Sequence, residues 1–410
     1  MSISDCQQDY TYENFDSSYS IRPCKVYYPQ TITEISQIIK NNQNSKIRAS
    51  GGYHVFNDLS GSDEIMVRFD RLNKILIIDS INRLVKVESG AIIYDLAIQL
   101  ANYGLAFHVL PAIAGQSLVG ALSTATHGSR ADRGTMVSAI RALEVVLADG
   151  SIHQINSENP LFAAMTVSLG TLGLIYSVTL QCEDLYDIEE EIVSLQWSQL
   201  IPILDLILID NTMTQIELNH QSNDCQIIIR RKISMSQVNS DQKSRYGQQN
   251  IQRGIYYQMI ASKNSRPYTE MEIAISYKYL IRAIGDILNL LKTHNNSKFI
   301  SPTILIRFSG TDKNSYISMA SNFSLIAYIS LFSESKNATK EELLDILRFY
   351  EDLMIRKYKG RPHYGKKHFL SKKKMFMIYP EFSKFLEIKQ LLDPLPNDLF
   401  SNNHLKRLTS

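Results

Sequence analysis

The chain has 410 residues, 44% hydrophobic and 20% charged, which is long enough for two domains with separate cores and unlike a disordered or fibrous sequence. Its 43 basic and 41 acidic side chains leave a formal net charge of +2, which argues against nucleic-acid binding driven by bulk charge. No apolar run reaches the ~20 residues of a spanning helix, so no transmembrane segment is expected. The polar, acidic start "MSISDCQQDYTYENF" is unlike a signal peptide. Cys6, Cys24, Cys182 and Cys225 are scattered without metal-ligand spacing, as reduced thiols in a cytoplasmic protein would be.

The first 185 residues read as alternating strands and helices. "YPQTITEISQIIK" has Thr31 and Glu34 in capping-box register and Ile32, Ile35, Ile38 and Ile39 on one face, which predicts a helix. "KIRAS" follows as a strand and stops at Gly51-Gly52-Tyr53-His54. Two glycines there permit unusual backbone angles and let main-chain N–H groups approach a ligand. "EIMVRF", "KILIID" and "RLVKVES" are short strands. "AIIYDLAIQLANYG" is a helix with Ile93, Leu96, Ala97 and Leu100 on one stripe, closed by Gly104.

A second glycine-rich segment, "LPAIAGQSLVGALSTATHGSRADRG", sets Gly115, Gly120 and Gly128 among small hydroxyl residues, which suits a loop around a phosphate or a flat ring. "AIRALEVVLADGSIHQI" reads as a hairpin with Asp149-Gly150 supplying positive backbone angles. "SLGTLGLIYSVTLQC" is a glycine-punctuated turn into a strand. No G-x-G-x-x-G follows the first strand, so the dinucleotide-binding fold is not indicated.

From about 186 to 370 the pattern shifts to longer strands, "DCQIIIRRKI" and "TEMEIAISY", and strong helices, "YLIRAIGDILNLLKTH" and "ATKEELLDILRFYEDLMIRKY". A sheet covered by helices is expected. "SMSQVNSDQKSRYGQQNIQRG" reads as a long exposed loop, and the basic "KKHFLSKKKMF" as a solvated surface loop. His54, His108, His127 and His363 make no recognisable zinc set, and there is no G-x-S-x-G elbow.

"RASGGYHVFND", "GQSLVGALSTATHGS", "LEVVLADGSIHQI", "LFAAMTVSLGTLGLIYSVTLQ", "RPHYGK" and "LLDPLPNDLFSNNHLKRL" stand in the order and spacing of the sugar-lactone and alditol oxidases. The chain resembles that family of vanillyl-alcohol-oxidase-type FAD enzymes from about residue 20 onward. The resemblance implies an α+β fold: a PCMH-type FAD-binding domain over 15–185, a substrate domain with a helix-covered antiparallel sheet over 186–370, and a C-terminal segment, 371–410, that packs back near the FAD domain. It implies that Ser50, Gly51, Gly52, Tyr53, His54, Val55 and Phe56 cradle FAD, with His54 bonded covalently to the flavin ring. Ser117, Gly120, Ala121, Thr124, His127 and Gly128 would line the cofactor, with Ile175 near its adenine or ribose end.

By the same resemblance Pro111 stands at a position that in this family lies beside the reactive flavin carbon, which implies oxygen, ahead of other acceptors, as the oxidant. On the substrate side the resemblance implies catalytic roles for Arg307, Lys366 and Tyr328, with Tyr328 and Ser330 standing where the family has pocket polar groups. The family's Glu-x-Arg reads Leu305-Ile306-Arg307 here, so the usual carboxylate beside Arg307 is missing. Glu272 is a further candidate for the pocket, with a structural role as its first reading and a replacement for that carboxylate as its second. The implied activity is hydride removal from a CH–OH group of a sugar lactone, polyol or related alcohol. The alternative suggested by Leu305 is a flavin-binding module without turnover.

Overall fold

Thr31 opens the first helix as expected, its hydroxyl accepting from the Glu34 amide at 3.2 Å. The Glu34 carboxylate accepts from the Gln30 amide at 2.7 Å, one residue earlier than a capping box requires. Helix α1 (Ile32–Asn41) buries Ile35, Ile38 and Ile39 against a small parallel sheet. That sheet contains β1 (Lys25–Tyr27), β2 (Ile47–Ser50) and β3 (Ile65–Arg68) in the order β1-β3-β2. These elements belong to a computed structural model that describes residues 10–233, 251–293, 299–333, 340–394, 396 and 398–409.

A second, antiparallel sheet follows: β4 (Ile75–Asp79), β5 (Leu84–Glu88), β6 (Leu105–Phe107), β7 (Ile140–Val146), β8 (Ile152–Asn156) and β9 (Leu174–Asp184). Its order is β8-β7-β9-β5-β4, with β6 on the far end of β9. Helix α2 (Ile93–Ala101) buries the predicted stripe, and Gly104 takes φ +70° just beyond its end. The β7–β8 hairpin forms, but only Gly150 of the expected pair has a positive φ. Its loop is longer than two residues: Leu147 donates to the Ser151 carbonyl, and the Asp149 carboxylate accepts from the Ser151 amide at 2.8 Å.

The second half is an eight-stranded antiparallel sheet. Its strands are β10 (Asp187–Gln196), β11 (Met213–Asn219), β12 (Asp224–Ile233), β13 (Ile251–Ile255), β14 (Thr269–Ser276), β15 (Thr303–Ser309), β16 (Ile326–Ser333) and β17 (Arg361–Pro362). They run in the order β13-β10-β12-β11-β15-β16-β14-β17. Helices α3 (Leu280–Thr293) and α4 (Lys340–Tyr358) cover one face. Ile273, Ile275, Ile304, Ile306, Phe308, Ile329 and Leu331 pack there against Ile284, Ile287, Leu347, Tyr350 and Met354. Each such side chain contributes about 1.5–3 kcal/mol when buried. A one-residue slip would exchange these isoleucines for Glu272 or Arg307, so the period-two pattern pins the register and aims the polar residues at the first half.

Two loop expectations fail. Residues 234–250 lie outside the described residues, but the end of the expected loop forms β13, paired with β10. "KKHFLSKKKMF" is no solvated loop. Lys366, His368 and Leu370 are held inward, Lys367 pairs with Asp16, and Lys374 pairs with Glu351 from helix α5 (Lys372–Ile378). The chain then returns to the first half: Asn402 donates to the Asp58, Leu59 and Gly61 carbonyls, and His404 Nδ1 lies 2.7 Å from Asp58 Oδ1.

Candidate functional site

The two glycine-rich segments meet. A Cβ on Gly51 would lie 1.8 Å from Ser117 Oγ, and one on Gly52 would lie 2.9 Å from the Gly115 carbonyl. Glycine is therefore required for close approach, whereas the left-handed backbone angle falls on the next residue, Tyr53, at φ +62°. That conformation costs about 1–2 kcal/mol outside glycine. Tyr53 is held in it by a hydroxyl–hydroxyl hydrogen bond to Tyr10 and by the Arg68 guanidinium 4.0 Å from its ring centroid. The turn delivers His54 face-on to Phe15, at 5.2 Å between ring centroids.

A cavity of about 1020 Å³ runs from these loops to the polar face of the large sheet. It exceeds the usual range for a drug-sized ligand, which leaves room for a large cofactor together with a substrate. Its wall contains Ser50, Gly51, Gly52, Tyr53, His54, Val55, Pro111, Ser117, Gly120, Ala121, Thr124 and His127, as expected for the FAD cradle. Phe56, Gly128 and Ile175 are not in the wall. Phe56 is buried beneath Lys366, Gly128 packs against the Leu110 carbonyl, and the Ile175 carbonyl accepts from Ser89.

The FAD implied by the resemblance fits these residues. The Gly51/Gly52 approach leaves a smooth backbone surface, and buried Ser50 Oγ has no hydrogen-bond partner. Sequence reasoning missed Arg48, a buried wall residue whose guanidinium donates to the Leu59, Leu169, Gly170 and Phe400 carbonyls at 2.6–2.9 Å. Burial lowers its pKa to about 10, which still leaves it charged at neutral pH. A buried cation beside a glycine loop suits a pyrophosphate.

At the sheet end, Arg307 of β15 is not without a carboxylate. Glu272 of β14 reaches across β16, with Oε2 2.6 Å from Arg307 Nη2 and 2.8 Å from Ser330 Oγ. Its Oε1 lies 2.8 Å from His127 Nε2. Burial alone would raise the Glu272 pKa, but His127 and Arg307 hold it well below the ordinary carboxylate range. Of the two readings of Glu272, this position between the two halves favours the pocket candidate over the purely structural residue. Two residues earlier on the same face, Glu270 forms an ion pair with Lys366. Burial pulls Lys366 down, but Glu270 raises it to about 12, so it is an ammonium. Leu305, Arg307, Lys366, Glu270, Glu272, His363 and Tyr268 all belong to the wall.

Tyr328 does not. It is fully buried behind His127, stacked at 3.5 Å, with its hydroxyl 2.7 Å from Ser309 Oγ. Ser330 is likewise spent on Glu272. Both are supports of the wall, because the strand pairing that sets them beside Arg307 also covers them with the first half. Glu270 was missed altogether. Its signal was "TEMEIAIS", in which two glutamates at period two face one way from an otherwise apolar strand.

His54 and His363 are held neutral. Burial, with the Lys366 ammonium adding to it, lowers His54 to about 4, against the opposing pull of the Gly115 carbonyl. Burial lowers His363 to about 3.

Comparison with known proteins agrees with this geometry. The family profile described as "FAD binding domain" matches residues 23–156, and the one described as "D-arabinono-1,4-lactone oxidase" matches residues 204–408, half of the chain. The L-gulonolactone oxidase of Mus musculus is 24% identical over 97% of this chain and 98% of its own. The L-gulono-1,4-lactone dehydrogenase of Mycobacterium tuberculosis (strain ATCC 25618 / H37Rv) is 25% identical with the same coverage. Among solved structures, cholesterol oxidase from Brevibacterium sterolicum superposes with a TM-score of 0.82 at 15% identity, covering 98% of this chain and 96% of that one, so the fold is shared. The chain is an FAD-dependent oxidoreductase and belongs to the D-arabinono-1,4-lactone oxidase family.

Proposed function

We propose that the protein oxidises a CH–OH group of a sugar lactone, with oxygen as the final electron acceptor. The observation that carries this reading is the pair of cations, buried Arg307 and partly buried Lys366, each fixed by a buried carboxylate in the wall of the cavity that His54 also lines. Bound FAD supplies the two-electron acceptor for the substrate carbon. Arg307 and Lys366 orient the reacting hydroxyl, lower its proton affinity and stabilise negative charge that develops beside them. Glu272 and Glu270 keep both cations in place, and low water access strengthens each interaction.

His54 is read as the covalent attachment point of the cofactor. Its imidazole is neutral, so a ring nitrogen has the lone pair that a bond to carbon requires. The reading of a flavin-binding module without turnover drew on Leu305 leaving Arg307 without a carboxylate, and Glu272 removes that ground. Pro111 in the wall supports oxygen as acceptor. The test is steady-state consumption of aldono-1,4-lactones by purified protein, with an oxygen electrode and, separately, an artificial acceptor. Lactone-dependent oxygen uptake is expected. Turnover with the artificial acceptor alone would replace oxidase by dehydrogenase, and none with either would refute the reading.

A further inference from the structure

We propose that Glu270 is a substrate-binding residue that makes the pocket select neutral, hydroxyl-bearing rings and reject their carboxylate forms. The inference rests on the lactone reading above and adds the determinant of charge selection. Glu270 and Glu272 stand at alternate positions of β14, facing the cavity together, and are 1% exposed. Each neutralises one cation of the wall: Glu270 with Lys366, Glu272 with Arg307. Arg48 is held by carbonyl oxygens among Leu59, Leu169, Gly170 and Phe400, and Arg266 of the wall is exposed to solvent. The substrate end of the cavity is thus balanced before any ligand enters.

Two buried atoms there have no partner: Glu270 Oε1, an acceptor, and Arg307 Nε, a donor. A hydroxyl group can donate to the first or accept from the second. A carboxylate can serve only the donor, and it brings a negative charge next to two buried carboxylates without a spare cation to match. Burying an unmatched charge costs far more than burying a hydrogen-bonded neutral group.

The test uses the flavin-loaded protein and two probes of one carbon skeleton, L-gulono-1,4-lactone and sodium L-gulonate. Binding is read from perturbation of the flavin absorption, separately from any bleaching. The lactone is expected to bind at least tenfold more tightly than the aldonate, and Glu270→Gln to narrow that ratio by tenfold or more. Equal affinities in the unmodified protein, or a ratio untouched by Glu270→Gln, would overturn the proposal. Should Glu270→Gln fail to fold, Lys366→Met, which leaves the Glu270 charge unmatched, is expected to widen the ratio, and an unchanged or narrower ratio would overturn the proposal. Selective lactone binding without bleaching would refute the activity reading and leave this one standing, and binding of neither probe would overturn both.

Discussion

Glu272 Oε2 lies 2.6 Å from Arg307 Nη2 although the two residues are 35 positions apart on strands that are not neighbours. One carboxylate thereby holds a guanidinium of the large sheet and a histidine, His127, of the second glycine-rich segment. Removing it leaves a buried cation without compensation. Glu272→Ala is expected to lower unfolding stability by about 3–5 kcal/mol, the usual scale for breaking a buried pair. Chemical denaturation measures this, and a loss under 1 kcal/mol would show that Arg307 finds another partner.

Lys366→Ala should slow anaerobic flavin reduction by ~10²-fold or more, the scale for losing a positioned charge. Because Lys366 is paired with buried Glu270, the single variant is also expected to be less stable. The double variant Lys366→Met with Glu270→Gln removes both charges, so it should recover stability but not the rate. Recovery of the rate as well would mean that the ammonium acts only on folding.

His54→Ala should release flavin into the supernatant on acid denaturation, whereas the unmodified protein keeps its colour in the pellet. Free flavin from the unmodified protein would remove the covalent bond from the account and leave the cradle intact.

Leu305→Glu is expected to destabilise the protein without creating an alditol oxidase. Leu305 stands directly opposite Glu217 in the β11–β15 pairing, and like charges at such positions repel by about 0.2–1 kcal/mol. The pocket already has its carboxylate in Glu272. A lowered thermal midpoint with no gain on xylitol supports this, and a large gain on xylitol would show that Glu272 does not substitute.

Stability should fall as pH drops below about 6.5, the ordinary histidine value. His363 stays neutral in the folded protein down to about 3, while the unfolded chain binds a proton on the same residue near 6.5. The unfolded state therefore holds more protons across this window, which lowers stability by about 1.4 kcal/mol per pH unit. Denaturation at pH 7 and pH 5 should differ accordingly, and the difference should shrink in His363→Asn. A flat profile would contradict the burial of neutral His363.

Much of the fold was legible because local rules and packing agree: the Thr31 cap, the α2 stripe and the strand over "TEMEIAISY" all form as read. The proposed cradle was legible through its small residues, although Gly51 and Gly52 serve close approach and Tyr53 carries the unusual backbone angle. What was hidden depends on pairing between distant strands. Leu305 read as a lost carboxylate because sequence compares it with its neighbour Arg307, whereas space brings Glu272 to the same guanidinium. Lys374 likewise read as solvated, because sequence does not bring Glu351 beside it.

The most direct test of the central claim is an anaerobic titration of the purified protein with L-gulono-1,4-lactone. An FAD-dependent oxidation at the Arg307–Lys366 end of the cavity predicts loss of the oxidised flavin absorption, with one lactone consumed for each flavin reduced. A yellow protein whose absorption is unchanged by this and other aldonolactones would contradict it.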